Sequence, residues 1–234
     1  MQDIDWGLTL KRLTAPTARD GFASELLAER GDHVFSQGDI DRIFRTYDLA
    51  KEAHRKQSRQ GGGRYFEHGK LVALILIRLG VRDVDAICMA LVHDAPEDAP
   101  DEAAKLAIER SIEAAAGSLT LFGAQLLDKS GRTLETYIEV LLANHARIRL
   151  VKLSDRLHNL STLPEGETKT ERLKYLRKKI DQVGETRRYI LPLAESLIHE
   201  PGYEEIGAIF MDLLNYLCNL RENEVYAAQT ALGN

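Results

Sequence analysis

Apolar residues along this 234-residue chain recur at helical spacing, and no convincing run of strict apolar and polar alternation interrupts them. Ser36, followed three residues later by Asp39, marks a helix start, after which Ile40, Ile43, Tyr47 and Ala50 repeat on one face to about Gln57. The triplet Gly61-Gly62-Gly63 then predicts a loop. Residues 70–79 are almost all apolar, which predicts a helix buried on most sides, with Gly80 as its stop. Further helices are predicted over 84–92, 102–116, 119–128, 133–144, 147–160, 169–200 with interruptions, and 204–228. Pro96 predicts a break near His93 and Asp94. The expected fold is all-α, one helical bundle without internal repeats. Residues 1–35, with Pro16 and Gly21, read as a peripheral extension, 36–200 as the domain proper, and 201–234 as a helical extension packed on it.

Composition narrows the function classes. With 44% hydrophobic and 29% charged residues the chain has the makings of an ordinary globular core. A formal charge of −5 with no dense Lys/Arg stripe argues against a long nucleic acid as partner. A local positive patch for a small polyphosphate remains compatible, and Arg55, Lys56, Arg59 and Arg64 are its candidates. The amino terminus carries Asp3 and Asp5 where a secretory signal would carry bases. The longest apolar stretch, 71–77, is far short of the roughly 20 residues that span a bilayer. A cytoplasmic chain, neither exported nor inserted in a membrane, is expected. Cys88 and Cys218 read as buried free thiols.

The chemistry concentrates in two strings. His93-Asp94-Ala95-Pro96-Glu97-Asp98 sets a His beside a carboxylate and adds two more carboxylates within about one helical turn. The apolar run Ala90-Leu91-Val92 just before it implies that the pair emerges from the core, where an uncompensated carboxylate is costly and a bound cation removes the cost. In the second string Leu150, Leu153, Leu157 and Leu160 form a core-facing stripe, while Asp155 and Asn159, four apart, share a neighbouring face. Asp155 is then an oxygen ligand and Asn159 a hydrogen-bonding partner to substrate or water. His68, just past the glycine loop, supplies a further nitrogen. His68, His93, Asp94 and Asp155 make a mixed N/O set that suits manganese, iron or zinc better than calcium or magnesium. His54 reads as a helix-surface residue without a direct role, and His158 as one that packs or hydrogen-bonds locally.

These motifs resemble the HD-domain hydrolases, and within them the alarmone hydrolase domains of the RelA/SpoT-homologue family. The string Ala53-His54, Gln57-Ser58-Arg59, Gly62, Tyr65 and His68 is similar to the first family motif in spacing, with Gly69 where a proline is usual. His93-Asp94 with Glu97-Asp98 resembles the second. Val151-Lys152-Leu153-Ser154-Asp155-Arg156-Leu157-His158-Asn159-Leu160 resembles the third almost letter for letter. The likeness runs from about residue 40 to 165, with a weaker echo to about 195. It implies hydrolysis of guanosine tetra- and pentaphosphate to GDP or GTP and pyrophosphate, with a manganese cofactor. It also implies Glu97 and Asp98 as the residues that position or deprotonate water, and Arg59 and Lys129 as phosphate contacts.

Departures from the pattern keep other readings in play. Gln60 stands where a basic residue is common, and Ser161 replaces an arginine of the third motif. Another HD-type nucleotide phosphohydrolase, a nucleotidase or a phosphatase acting on the 2′-phosphate of NADPH, would use the same ligands. A catalytically silent nucleotide sensor is the alternative from another class. Bifunctional members carry a synthetase domain directly afterwards; fewer than 75 residues follow Leu163 and they read as helices, which predicts hydrolysis only. No apolar heptad in either extension decides for or against a homo-oligomer.

Overall fold

A computed structural model of the protein describes residues 4–28, 35–55, 65–162 and 169–233, and no strand occurs among them. Two short helices, α1 (Trp6–Leu13) and α2 (Arg19–Leu27), precede α3 (Gln37–Ala53). Ser36 and Asp39 cap α3 reciprocally: the Asp39 amide donates to Ser36 Oγ and the Ser36 amide to Asp39 Oδ2. Ile43, Tyr47 and Ala50 turn inward from α3 as the spacing predicts. The glycine triplet lies outside the described residues.

At the centre, α4 (Phe66–Arg78) packs on α5 (Val84–Val92) and both pack on α9 (Ala146–Ser161). The helix expected over 70–79 begins four residues earlier, so His68 sits within α4 rather than in a loop before it. Its first turn is held by burial that sequence periodicity does not mark: Phe66, His68, Gly69 and Lys70 are all buried. Lys70 tolerates this because its Nζ donates to the Thr17 carbonyl at 2.6 Å and pairs with Glu67. Gly80, with φ of +87°, ends the α4 turn in a conformation that a Cβ disfavours.

Gly69 lets α4 approach the end of α5 closely. A Cβ at this position would stand 2.7 Å from the Leu91 carbonyl oxygen, a backbone atom that cannot swing away. Gly69→Ala is therefore expected to cost about 2 kcal/mol by overpacking, or a fall in Tm of about 4–8 °C. Thermal unfolding checks this, and an unchanged Tm would show that the two helices separate without cost.

The helix α5 stops at Val92, where Pro96 intervenes. Pro96 has no N–H to donate to the Val92 carbonyl, which instead accepts from Ala95 at 3.0 Å, and residues 93–98 continue as successive turns. Around this centre lie α6 (Glu102–Ala116), α7 (Ser118–Leu127) and α8 (Leu134–Leu142). All four leucines of the α9 stripe, Leu150, Leu153, Leu157 and Leu160, are buried.

The predicted interruption beyond residue 169 is a π turn. α10 (Lys169–Glu185) passes into π-helical Thr186–Ile190 and then α11 (Leu191–Ile198). The Leu191 N–H reaches back five residues to the Thr186 carbonyl, and the widened turn accommodates Pro192, which cannot continue the ordinary helical ladder. The last helix, α12 (Glu204–Gly233), lies against α10 and α11. From it Arg221 donates to the Leu160 and Ser161 carbonyls at 2.7 and 2.9 Å, satisfying the C-terminus of α9. Within the segment expected to be peripheral, Phe22 is fully buried against Phe44 and Tyr47, and Arg78 of α4 holds the carbonyls of Leu13 and Ala15.

Candidate metal centre and its cavity

Three elements deliver the site. The first turn of α4 carries His68, the broken end of α5 carries His93 and Asp94, and the middle of α9 carries Asp155. His68, His93 and Asp155 each offer a donor atom, and these atoms all lie within 4.8 Å of one another. His68 Nε2 stands 3.1 Å from Asp155 Oδ1, and His93 Nε2 stands 3.8 Å from the same oxygen. Asp94 lies outside that group of three but reaches both imidazoles, with Oδ1 3.1 Å from His93 Nε2 and Oδ2 3.5 Å from His68 Nε2.

Hydrogen bonds aim the donors inward. His93 Nδ1 stands 2.9 Å from the Ala90 carbonyl, an acceptor only, so that nitrogen carries a proton and Nε2 is the nitrogen turned toward the cluster. His93 Nε2 is buried without a hydrogen-bond partner among the described residues. Asp155 Oδ2 accepts from Lys152 Nζ at 3.0 Å, and Oδ1 accepts from the Asn159 amide at 2.5 Å. Asp155 is thus turned with Oδ1 toward the imidazoles.

Without a cation the cluster is balanced by Lys152 and by a proton held on His93. Burial alone would lower the His93 imidazole, but Asp94 and Asp155 outweigh it and hold it up at about 10. For His68, burial prevails over the same carboxylates and pushes the imidazole down. Burial disfavours ionised Asp155, yet Lys152 and the two imidazoles keep it well below the usual carboxylate range, and His93 does the same for Asp94. One protonated imidazole thus neutralises what two carboxylates leave over. A divalent cation would replace that proton, and two imidazole nitrogens with carboxylate oxygens are donors such a cation accepts. The residues fit a divalent metal ion.

The cluster opens into a cavity of about 420 Å³, within the ~300–1,000 Å³ usual for small-molecule sites. Glu97 and Asp98 line it beside the histidines. Burial raises both carboxyls above their ordinary values, opposed by the nearby Lys129 charge for Glu97 and by a hydrogen bond from Tyr65 for Asp98. Lys129 Nζ stands 3.6 Å from Glu97 Oε1 and is 64% exposed, so its ammonium faces the opening. Asn159 also lines the cavity while its amide holds Asp155.

Arg59 and Gln60 fall outside the described residues, as do Lys56 and Arg64 of the anticipated basic patch. Arg55 is exposed and pairs with Glu52 at 3.1 Å. Sequence reasoning passed over Lys152, Arg156, Lys178 and Gln182, all of which line the cavity. Lys152 lies three residues before Asp155 on the same helical face, a spacing that could have drawn it in. The α10 residues reach the cavity only through tertiary packing. His158, assigned only local packing, places Nδ1 2.7 Å from His68 Nδ1.

An all-helical fold whose His-Asp pair at a helix break meets an Asp from a central helix defines a class of metal-site protein, and the chain matches the HD domain family over residues 46–183. It belongs to that family. Among curated relatives, it is 31% identical over 176 residues to the bifunctional (p)ppGpp synthase/hydrolase SpoT of Escherichia coli, covering 72% of this chain and 24% of that protein. It is 37% identical over 127 residues to a guanosine-3′,5′-bis(diphosphate) 3′-pyrophosphohydrolase of Aquifex aeolicus, covering 53% and 18%. It is 36% identical over 180 residues to the GTP pyrophosphokinase rsh of Brucella melitensis, covering 74% and 22%. The chain thus spans about a quarter or less of the length of these relatives. No helix among the described residues is long and apolar enough to cross a membrane.

Proposed function

We propose that this chain is a manganese-dependent phosphohydrolase that removes the 3′-diphosphate from guanosine tetra- and pentaphosphate, leaving GDP or GTP and pyrophosphate. The observation that carries the reading is the make-up of one cavity. Two imidazoles and two carboxylates converge at one end, and Lys129, Lys152, Arg156 and Lys178 occupy its walls. Acids and imidazoles serve a cation and the exposed ammonium groups of Lys129 and Lys178 serve phosphates, while Lys152 holds Asp155 and Arg156 pairs with Glu185. The relatives named for (p)ppGpp hydrolysis and for 3′-pyrophosphohydrolase activity support the choice of substrate.

His68, His93, Asp94 and Asp155 are the proposed metal ligands. The absence of a thiolate from this N/O set suits manganese. A cation held by these residues would polarise the 3′ phosphoryl group and make a water more acidic. Glu97, raised by burial, is poised to take the proton from that water, with Asp98 orienting it. The water oxygen joins the phosphorus next to the ribose, and the bond from that phosphorus to the 3′ oxygen breaks. The 3′ oxygen takes up a proton and leaves as a hydroxyl. Lys129 meets the phosphate oxygens at the cavity mouth, Asn159 steadies Asp155 beside the substrate, and Arg59 is the third proposed substrate contact.

Steady-state rates with guanosine tetraphosphate, NADPH and ordinary nucleoside diphosphates and triphosphates test the substrate. The highest kcat/KM is expected for guanosine tetraphosphate. Preference for NADPH with release of orthophosphate would move the chain to the nucleotide phosphatases, and tight binding without turnover would make it a sensor.

A further inference from the structure

We propose that His158 is a positioning residue that fixes the tautomer and direction of His68. The inference rests on the reading of His68 as a metal ligand. The two rings are 90 residues apart in sequence, yet their centroids lie 4.8 Å apart and their Nδ1 atoms 2.7 Å apart. Both side chains are buried. At 2.7 Å one nitrogen donates and the other accepts, because two bare lone pairs would repel and two N–H groups would clash.

Ligation decides which is which. His68 Nε2 faces His93, Asp94 and Asp155, so it is the nitrogen that meets a cation and must then be bare. A neutral imidazole holds one proton, which places it on His68 Nδ1. His158 Nδ1 is the acceptor there, and His158 carries its own proton on Nε2. The bond prevents the His68 ring from turning over and raises the basicity of the ligating nitrogen, as outer partners of metal-bound histidines do.

The two histidines of the centre are held by different means. His93 is fixed by a main-chain acceptor, the Ala90 carbonyl, which no substitution removes. His68 depends on a side chain. Because α9 carries both Asp155 and, one turn on, His158, a single helix supplies a metal ligand and the support of another ligand from α4. Docking of α9 on α4 therefore assembles half of the centre in one step.

His158→Leu removes the acceptor at similar bulk, whereas His158→Asn keeps an acceptor oxygen near the place of Nδ1. In titrations of the full chain with manganese alone, His158→Leu is expected to weaken binding about 10–100-fold and His158→Asn to restore it to within about threefold of the wild type. Wild-type affinity in His158→Leu, or equal losses in both variants, would overturn the assignment. Nitrogen NMR of the imidazoles in the zinc-loaded wild type gives a second reading that needs no variant. Protons on His68 Nδ1 and His158 Nε2 are expected, and the reverse pattern would overturn it. A wild-type chain that binds neither metal would instead overturn the proposed function.

Discussion

Replacing Asp155 by asparagine is expected to weaken manganese binding at least about 100-fold, more than loss of an outer partner costs. Hydrolysis is expected to fall about 10³-fold or more, because the several kcal/mol that a bound cation contributes to the transition state are lost with it. Asparagine keeps the volume of the side chain beside Lys152 and still offers that ammonium an acceptor. Alanine would leave the half-buried Lys152 ammonium without its partner, a loss of up to about 3 kcal/mol that would mix misfolding with loss of metal. Calorimetric titration with manganese and an activity assay on the same sample separate affinity from turnover. Retained affinity in Asp155→Asn would remove Asp155 from the ligand set.

Glu97→Gln is expected to lower kcat by about 10²–10⁴-fold, the usual contribution of a general base. Manganese affinity should stay within about threefold of the wild type. Glu97 reaches Lys129, not the imidazoles, and it lies outside the group whose donor atoms approach within 4.8 Å. The split between kcat and metal affinity is the informative readout. If both fell together, Glu97 would be a ligand and the proton would go elsewhere, with Asp98 the neighbouring carboxylate.

The parts of this protein written in local chemistry were legible in its sequence. Ser36 and Asp39 close a capping box, Pro96 ends α5, and the leucine stripe of α9 points inward, since each depends only on neighbours within a turn or so. The spacing of Asp155 and Asn159 likewise anticipates their shared face, and the structure joins them by a hydrogen bond. The family followed from three separated motifs, because a site built from several helices must place its chemistry on each of them.

What escaped the sequence depends on tertiary packing. The first turn of α4 mixes Glu67, His68 and Lys70 with Phe66, so it shows no apolar stripe, and only contact with α5 and the Thr17 carbonyl explains why it is helical and buried. The meeting of His158 with His68 joins two helices far apart in sequence, and no periodicity connects them. Lys178 and Gln182 are ordinary polar residues of α10 until that helix is docked beside Arg156. The burial of Phe22 is a similar case: one aromatic residue in a polar segment gives little pattern, yet it completes a ring cluster with Phe44 and Tyr47.

Phosphorus NMR of guanosine tetraphosphate, incubated with chelator-treated protein before and after manganese is restored, decides whether the chain is a metal-dependent 3′-pyrophosphohydrolase. No reaction is expected before restoration, then intact pyrophosphate and GDP in equal amounts. Orthophosphate as the first product, or turnover that proceeds equally without added metal, would contradict that assignment.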